Sequence, residues 1–270
     1  MKIFVLLFFA IGSLVMASCG SEQVTFVVET DNYNPYASDT TGSVGGLAVN
    51  LDLTLLESTS RKSHVSDINR QLVDRFIGNA NLELHEAMTL YRDSLLRLPL
   101  PDAKTDSLGG DSTVAAPRYT ASVRIYTDLM EGDLVTFVYE GFENYSVQPG
   151  KKQMMFLAFD LKTGRQLHEQ DVFDCSDKSK AQLDKLLREA LEEKVAADTN
   201  GIEMSRFGTE KLHINDNFRV AAQSLIYHFD AGVLADEEVG PVDLEIPSYK
   251  LHQFLNQESL VYRFWFNNKK

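Results

Sequence analysis

The 270-residue chain predicts an α+β fold of mainly antiparallel sheets with packed helices, arranged as two adjoining modules. Three observations carry this. Val49, Leu51, Leu53 and Leu55 alternate with Asn50, Asp52 and Thr54, the period of a strand with one wet face. Helical stripes at steps of three and four are grouped between such segments instead of alternating with single strands. Strands over 119–127 and 134–142 meet at Glu131-Gly132-Asp133, which makes a hairpin.

Residues 1–19 stand apart from the fold. Lys2 precedes a nearly unbroken apolar run over 3–15, which Ala17, Ser18 and Cys19 close. That is a secretory signal peptide over 1–18, too short for a membrane span of about 20 residues. Met16-Ala17-Ser18-Cys19 resembles a bacterial lipobox. The resemblance implies that Cys19 is lipidated and heads a tether over 19–23, so that the chain is exported and anchored in the cell envelope. Ordinary cleavage near Ser18 is the alternative.

A first strand is expected over 24–29, a loop over 32–46, and the alternating strand next. Ser66 can cap a helix with Ile68, Leu72, Val73, Phe76 and Ile77 on one side, which Gly78 ends. Asn81 opens a second helix with Leu84, Met88, Tyr91, Leu95 and Leu98, stopped by Pro99 and Pro101. Residues 101–117 read as a polar, flexible loop. After the hairpin, 154–161 is a strand turned back at Lys162-Thr163-Gly164. Asp177 or Ser179 can cap a long helix that buries Leu183, Leu187 and Leu191 against a sheet. Phe218 to Phe229 reads as one strand and its continuation, Val242 to Ile246 as another, Ser248 starts a short helix, and 260–266 reads as a last strand. The modules are expected over 24–145 and 146–266.

The formal net charge of −13 repels nucleic acid and anionic headgroups. It leaves a membrane to the lipid anchor alone and could attract a basic protein, although most such surfaces only keep exported proteins apart. The two cysteines cannot make a disulfide framework, and Cys175 reads as a small buried hydrophobe. The six histidines show no ligand spacing, so no metal and no cofactor are expected. No Gly-x-Ser-x-Gly elbow occurs, and the glycines over 42–46 lack the Lys of a phosphate loop. Asp160 and Asp171 could pair as acid and base, but Asp beside a turn is more often a backbone acceptor.

Phe159-Asp160-Leu161-Lys162-Thr163-Gly164-Arg165-Gln166-Leu167, Asp171-Val172-Phe173, Asn217-Phe218-Arg219-Val220, Leu225-Ile226-Tyr227-His228-Phe229, Val239-Gly240 and Ile246-Pro247 occur in that order. They resemble the paired extracytoplasmic domains of unknown function found in the RsiV anti-sigma factor and in front of the PdaC peptidoglycan deacetylase. The resemblance covers roughly 140–256 and, on element order alone, 24–139. It implies a two-part α+β module outside the cytoplasm, which in RsiV binds lysozyme and in PdaC accompanies a catalytic domain. The stretches here that depart from that family, 141–145 and 231–238, are expected to be loops. They make Glu143, Asn144, Tyr145, Asp236, Glu237 and Glu238 the candidate ligand-binding residues. Asp106-Ser107-Leu108 and Asp111-Ser112-Thr113 resemble the O-glycosylation sequence of some Bacteroidetes exported proteins, at Ser107 and Ser112. The expectation is a non-enzymatic envelope lipoprotein that binds a cell-wall fragment or a basic protein such as lysozyme. An envelope glycan hydrolase and a structural subunit of an envelope complex are the alternatives.

Overall fold

The computed structural model describes residues 24–33, 47–58, 64–79, 81–97, 119–145, 150–174 and 176–267. The expectations for residues 1–23 with Cys19, for the loop with Ser107 and Ser112, and for Cys175 lie outside the described residues.

Two sheets build the α+β fold. The first has the order β1 (Val24–Tyr33), β2 (Leu47–Ser58), β3 (Tyr119–Glu131), β4 (Leu134–Tyr145), β5 (Lys151–Asp160) and β6 (Gln166–Leu167). All its neighbours are antiparallel except β2 and β3, which run parallel with Leu53 beside Ile125. A parallel pair needs a crossover, and α1 (Val65–Phe76) and α2 (Leu84–Leu96) supply it. Their stripes bury Ile68, Leu72 and Met88 on one sheet face, against Leu51, Leu53, Val123, Ile125, Phe137 and Phe159. Each such side chain stabilises the fold by about 1.5–3 kcal/mol. The Asn69 side chain holds α1 to β2 by accepting from Leu56 N at 3.0 Å and donating to Leu56 O at 2.7 Å. The start of α1 also presses on the turn after β5. Gly164 there has φ +68°, and a Cβ on it would stand 2.8 Å from that of His64.

The second core begins with α3 (Glu169–Val172) and α4 (Asp177–Ala197). It continues through β7 (Phe218–Val220), β8 (Ser224–Phe229) and β9 (Val242–Pro247), an antiparallel sheet in that order. Leu183, Leu187 and Leu191 of α4 are fully buried in the same core as Leu225, Leu244 and Ile246. α5 (Ser248–Leu251), α6 (Leu260–Tyr262) and a wide helical turn over Arg263–Asn267 close it.

Several expectations are corrected. The division at 145 and 146 falls inside the large sheet, because β5 continues the antiparallel pairing of β4 along its whole length. Residues 218–229 form two strands, since Ala221 N bonds to Ser224 O at 2.9 Å and turns the chain. The 260–266 segment is helical: Ser259 caps it by accepting from Tyr262 N, and Trp265 Nε1 reaches Ala221 O at 2.9 Å. Ser176, not Asp177 or Ser179, caps α4, because its backbone is still extended and its Oγ accepts from Ser179 N. α1 starts at Val65, one residue before the expected cap Ser66, and α2 starts at Leu84, three residues after Asn81.

Leu187 has no exposure and leaves a cavity when truncated. Leu187→Ala is expected to lower unfolding free energy by roughly 2–5 kcal/mol in urea titration, and a cost below about 1 kcal/mol would contradict this packing.

Candidate functional site

β5 is paired to β4 throughout but to β6 only at Ala158 and Phe159. Its outward backbone groups at Met154 and Phe156 are met by side chains from the second core. Asn217 accepts from Phe156 N at 2.8 Å and donates to Met154 O at 2.9 Å, as a neighbouring strand would. Asp230 Oδ1 accepts from Met154 N at 2.9 Å. The same oxygen stands 3.2 Å from His228 Nε2, while His228 Nδ1 lies 2.6 Å from Asp243 Oδ1. The seam between the sheets is thus a chain of polar contacts running from β9 through β8 to β5.

His228 is 3% exposed, with the Phe156 ring edge-on at 5.8 Å. Burial alone pulls an imidazole down, but the hydrogen bonds and charges of Asp243 and Asp230 outweigh it and raise His228 above the ordinary histidine value. Asp243 is held low, chiefly by its bond to His228. Flanked by two carboxylates, the ring has both nitrogens engaged, an arrangement that favours its doubly donating form.

A cleft of about 400 Å³ opens at this seam. Phe156, Asn217 and His228 line it, together with Arg75 of α1 and Lys211 and His213 of the second core. Asp216, also in the lining, accepts from Glu169 N at 2.9 Å and pairs with His168 Nδ1 at 3.0 Å. Behind it, Glu169 Oε1 and the hydroxyl of fully buried Tyr227 are sealed from solvent without closing a hydrogen bond. Burial first, then the charges of Asp216 and Asp184, push the Glu169 carboxyl up to about 7, against the lowering influence of Tyr227 and Lys180. Among the described residues no three His, Cys, Asp or Glu side chains converge as metal ligands. No described helix is long and apolar enough to cross a membrane.

The residues expected from sequence fall elsewhere. Glu143, Asn144 and Tyr145 are not in a loop but end β4, opposite Ala121, Thr120 and Tyr119 of β3. β3 runs far enough to pair them, which the turn-rich sequence after Tyr145 concealed. Glu143 lines a smaller cleft of about 110 Å³ with Tyr91 and Tyr139. Tyr139 is pushed up to about 12 by burial and then by Tyr91 and Glu143. Its ring stacks on Phe76 at 3.9 Å and lies over Gly141, where a Cβ would meet the hydroxyl at 2.5 Å. Asp236, Glu237 and Glu238 are exposed at the turn Glu237–Val239, and Arg206 holds Asp236 at 3.3 Å and Glu238 at 3.0 Å. They line neither cleft. Asp160 and Asp171 serve local backbone: they accept from Lys162 N and His168 N. His228, Asn217, Asp230, Glu169, Arg75 and Lys211 carried no spacing signal. The sequence hints were the place of Asn217 and His228 in the motifs that carry the family resemblance, and a His and an Asp two apart at the end of a strong strand.

No protein-family model matches the chain, and no curated protein matches it. Solved structures do share its fold. A member of the DUF3298 family from Bacteroides fragilis NCTC 9343 has a TM-score of 0.72 at 17% identity, over 91% of this chain and 98% of that one. A DUF3298 family protein from Pseudomonas aeruginosa PAO1 has a TM-score of 0.58 at 13% identity, over 87% of this chain and 95% of that one. Both neighbours are domains of unknown function, and at these identities the likeness is one of fold alone.

The Glu169 carboxyl fixes a pH dependence. Its folded value is raised from 4.5 to about 7, so the stability present below about pH 4.5 is lost as pH rises through about 7. Glu169→Gln removes that loss. Thermal or urea melts are expected to show the variant gaining on the wild type by about 1–2 kcal/mol more at pH 8 than at pH 5, a figure discounted for partial exposure. An advantage that does not change with pH would contradict the burial of this carboxyl.

Proposed function

We propose that the chain is a non-enzymatic, lipid-anchored protein of the cell envelope that binds an extracellular ligand, a cell-wall fragment or a basic protein such as lysozyme. The observation that carries this is the seam cleft, an opening of about 400 Å³ whose acidic and imidazole groups are engaged with one another. General base catalysis needs a nitrogen or oxygen free to accept a proton. His228 has both nitrogens against carboxylates and Asp216 has both oxygens taken, while His213, whose Nδ1 engages Asp184 and whose Nε2 is free, stands there with no nucleophile paired to that nitrogen among the described residues. The leader, with its lipobox-like end at Cys19, supports the address. The resemblance to the RsiV and PdaC domains supports binding or accessory work outside the cytoplasm. For a basic protein, Glu237 with the Arg206-paired Asp236 and Glu238 supplies a separate exposed acidic patch outside the cleft.

One observation favours the hydrolase alternative. Glu169, raised to about 7 beside Asp216, has the pattern of two carboxyl groups whose proton affinities are pushed apart. Glu169 does not line the cleft, however, and its Oε1 is sealed from solvent, which speaks against its meeting a glycan there.

The test is titration of lysozyme and of muropeptides into the protein at low and high salt, beside turnover assays on cell-wall glycan. Binding of one ligand without turnover is expected, with lysozyme affinity falling as salt rises. Cys19→Ala is expected to release the protein from membranes or to leave the leader uncut. Turnover abolished by a point substitution would overthrow the proposal, and binding to neither ligand would put a structural subunit ahead.

A further inference from the structure

We propose that the seam cleft binds a small amphipathic carboxylate, the free carboxyl end of an N-acylated amino acid or short peptide, with Arg75 and Lys211, which both line it, as the cations that hold the carboxylate. This rests on the binding function proposed above and names the ligand class of the same cleft. The two cations come from different parts of the fold, Arg75 from the last turn of α1 and Lys211 from the short turn Thr209–Lys211. Among the described residues neither pairs with a carboxylate. Arg75 Nη1 touches only the neutral Gln166 Oε1 at 3.4 Å, and its guanidinium lies 5.8 Å from the Phe76 ring centre. In a chain of net charge −13, cations left unpaired at a cleft wall stand ready for an anion.

The acidic groups of the cleft do not cancel them. Asp216 is bound by His168 and by Glu169 N. Asp230 Oδ1 serves both His228 and Met154 N, so each of these carboxylates is already engaged by hydrogen bonds of the fold. Donors are left over as well. Asn215 Oδ1 accepts from Asn217 N, which leaves its amide N–H groups for a ligand. His213 engages Asp184 through Nδ1 and keeps Nε2 free. The rest of the lining is apolar: Val233 is 45% exposed, and Met155 and Ile214 are half-buried beside it. Cations, amide donors and an apolar wall suit a carboxylate carried on an amide-linked, apolar body. A bare inorganic anion would leave that wall unused. An Arg fork also matches the two oxygens of a carboxylate. The volume is that of a small-molecule site.

The experiment uses the whole chain purified in detergent. N-acetyl-leucyl-leucine is titrated beside its C-terminal amide and beside inorganic phosphate, by calorimetry and by NMR shifts. The acid is expected to bind at least tenfold more tightly than the amide, and more weakly as salt rises. Arg75→Gln and Lys211→Gln are each expected to weaken it several-fold while leaving the melting temperature unchanged, because both side chains are exposed. Equal binding of acid and amide, or full affinity in the double variant, would overturn the proposal. So would phosphate displacing the peptide with equal affinity, since the cleft would then be a general anion site. The two proposals fail separately. Loss of peptide selectivity for the acid, with lysozyme or muropeptide binding intact, sinks the cleft assignment and spares the envelope-binding function. Peptide binding without either envelope ligand does the reverse.

Discussion

The outer edge of β5 is the constraint on which the rest of the structure depends. Beyond its two-residue pairing with β6, this strand would present unmet N–H and C=O groups inside the molecule. A buried donor or acceptor left unmade costs about 1–3 kcal/mol. Asn217 answers two such groups with one amide, and Asp230 answers a third. An edge that would invite another chain is covered by the molecule's own side chains. These bonds are directional, so they fix where the β7–β9 sheet sits along β5, which apolar contact alone would leave loose. The cleft is the space this docking leaves between α1, β5 and the loops carrying Lys211 to Asn217.

Asp230 then needs a partner of its own, and His228 provides it. A buried imidazole is costly to leave without partners, and this one stands between two carboxylates at 2.6 and 3.2 Å. Removing either carboxylate would leave a buried ring nitrogen without its acceptor, whereas the full set is satisfied. The seam is therefore all or nothing, a property suited to holding two sheets in one register. The Glu169–Tyr227 contact lacks this completeness. It lies behind the same wall with two sealed, unbonded oxygens, and the fold holds that carboxyl neutral over much of the pH range as a result.

Period and caps made the large elements legible. The stripe Leu183, Leu187, Leu191 and the alternation of β2 both point to the faces they bury, because each element meets its core through one side. Sheet membership was not legible, since β5 looks the same in sequence whether it extends the first sheet or opens a second. The run from Leu260 to Phe266 misled for a related reason: a short, continuous apolar stretch fits a buried strand and a buried helix equally. Ser259, the residue that settles it, is informative only beside Tyr262 N. The site was invisible because its parts come from Arg75, Phe156, Lys211 to Asn217 and His228 to Val233. No spacing rule spans such distances.

The same contrast decides what the likeness to the two DUF3298 structures carries. Layers and cores follow from patterning, and cores tolerate many apolar exchanges, so a fold survives at 17% identity over 91% of the chain. The seam is built from side-chain amides, carboxylates and one imidazole, each aimed at a particular backbone or ring atom. A change of one residue type there removes a bond instead of reshaping a surface. The cleft that depends on it, with Arg75 and Lys211 in its lining, is therefore a property of this chain's own residues and has to be argued from them.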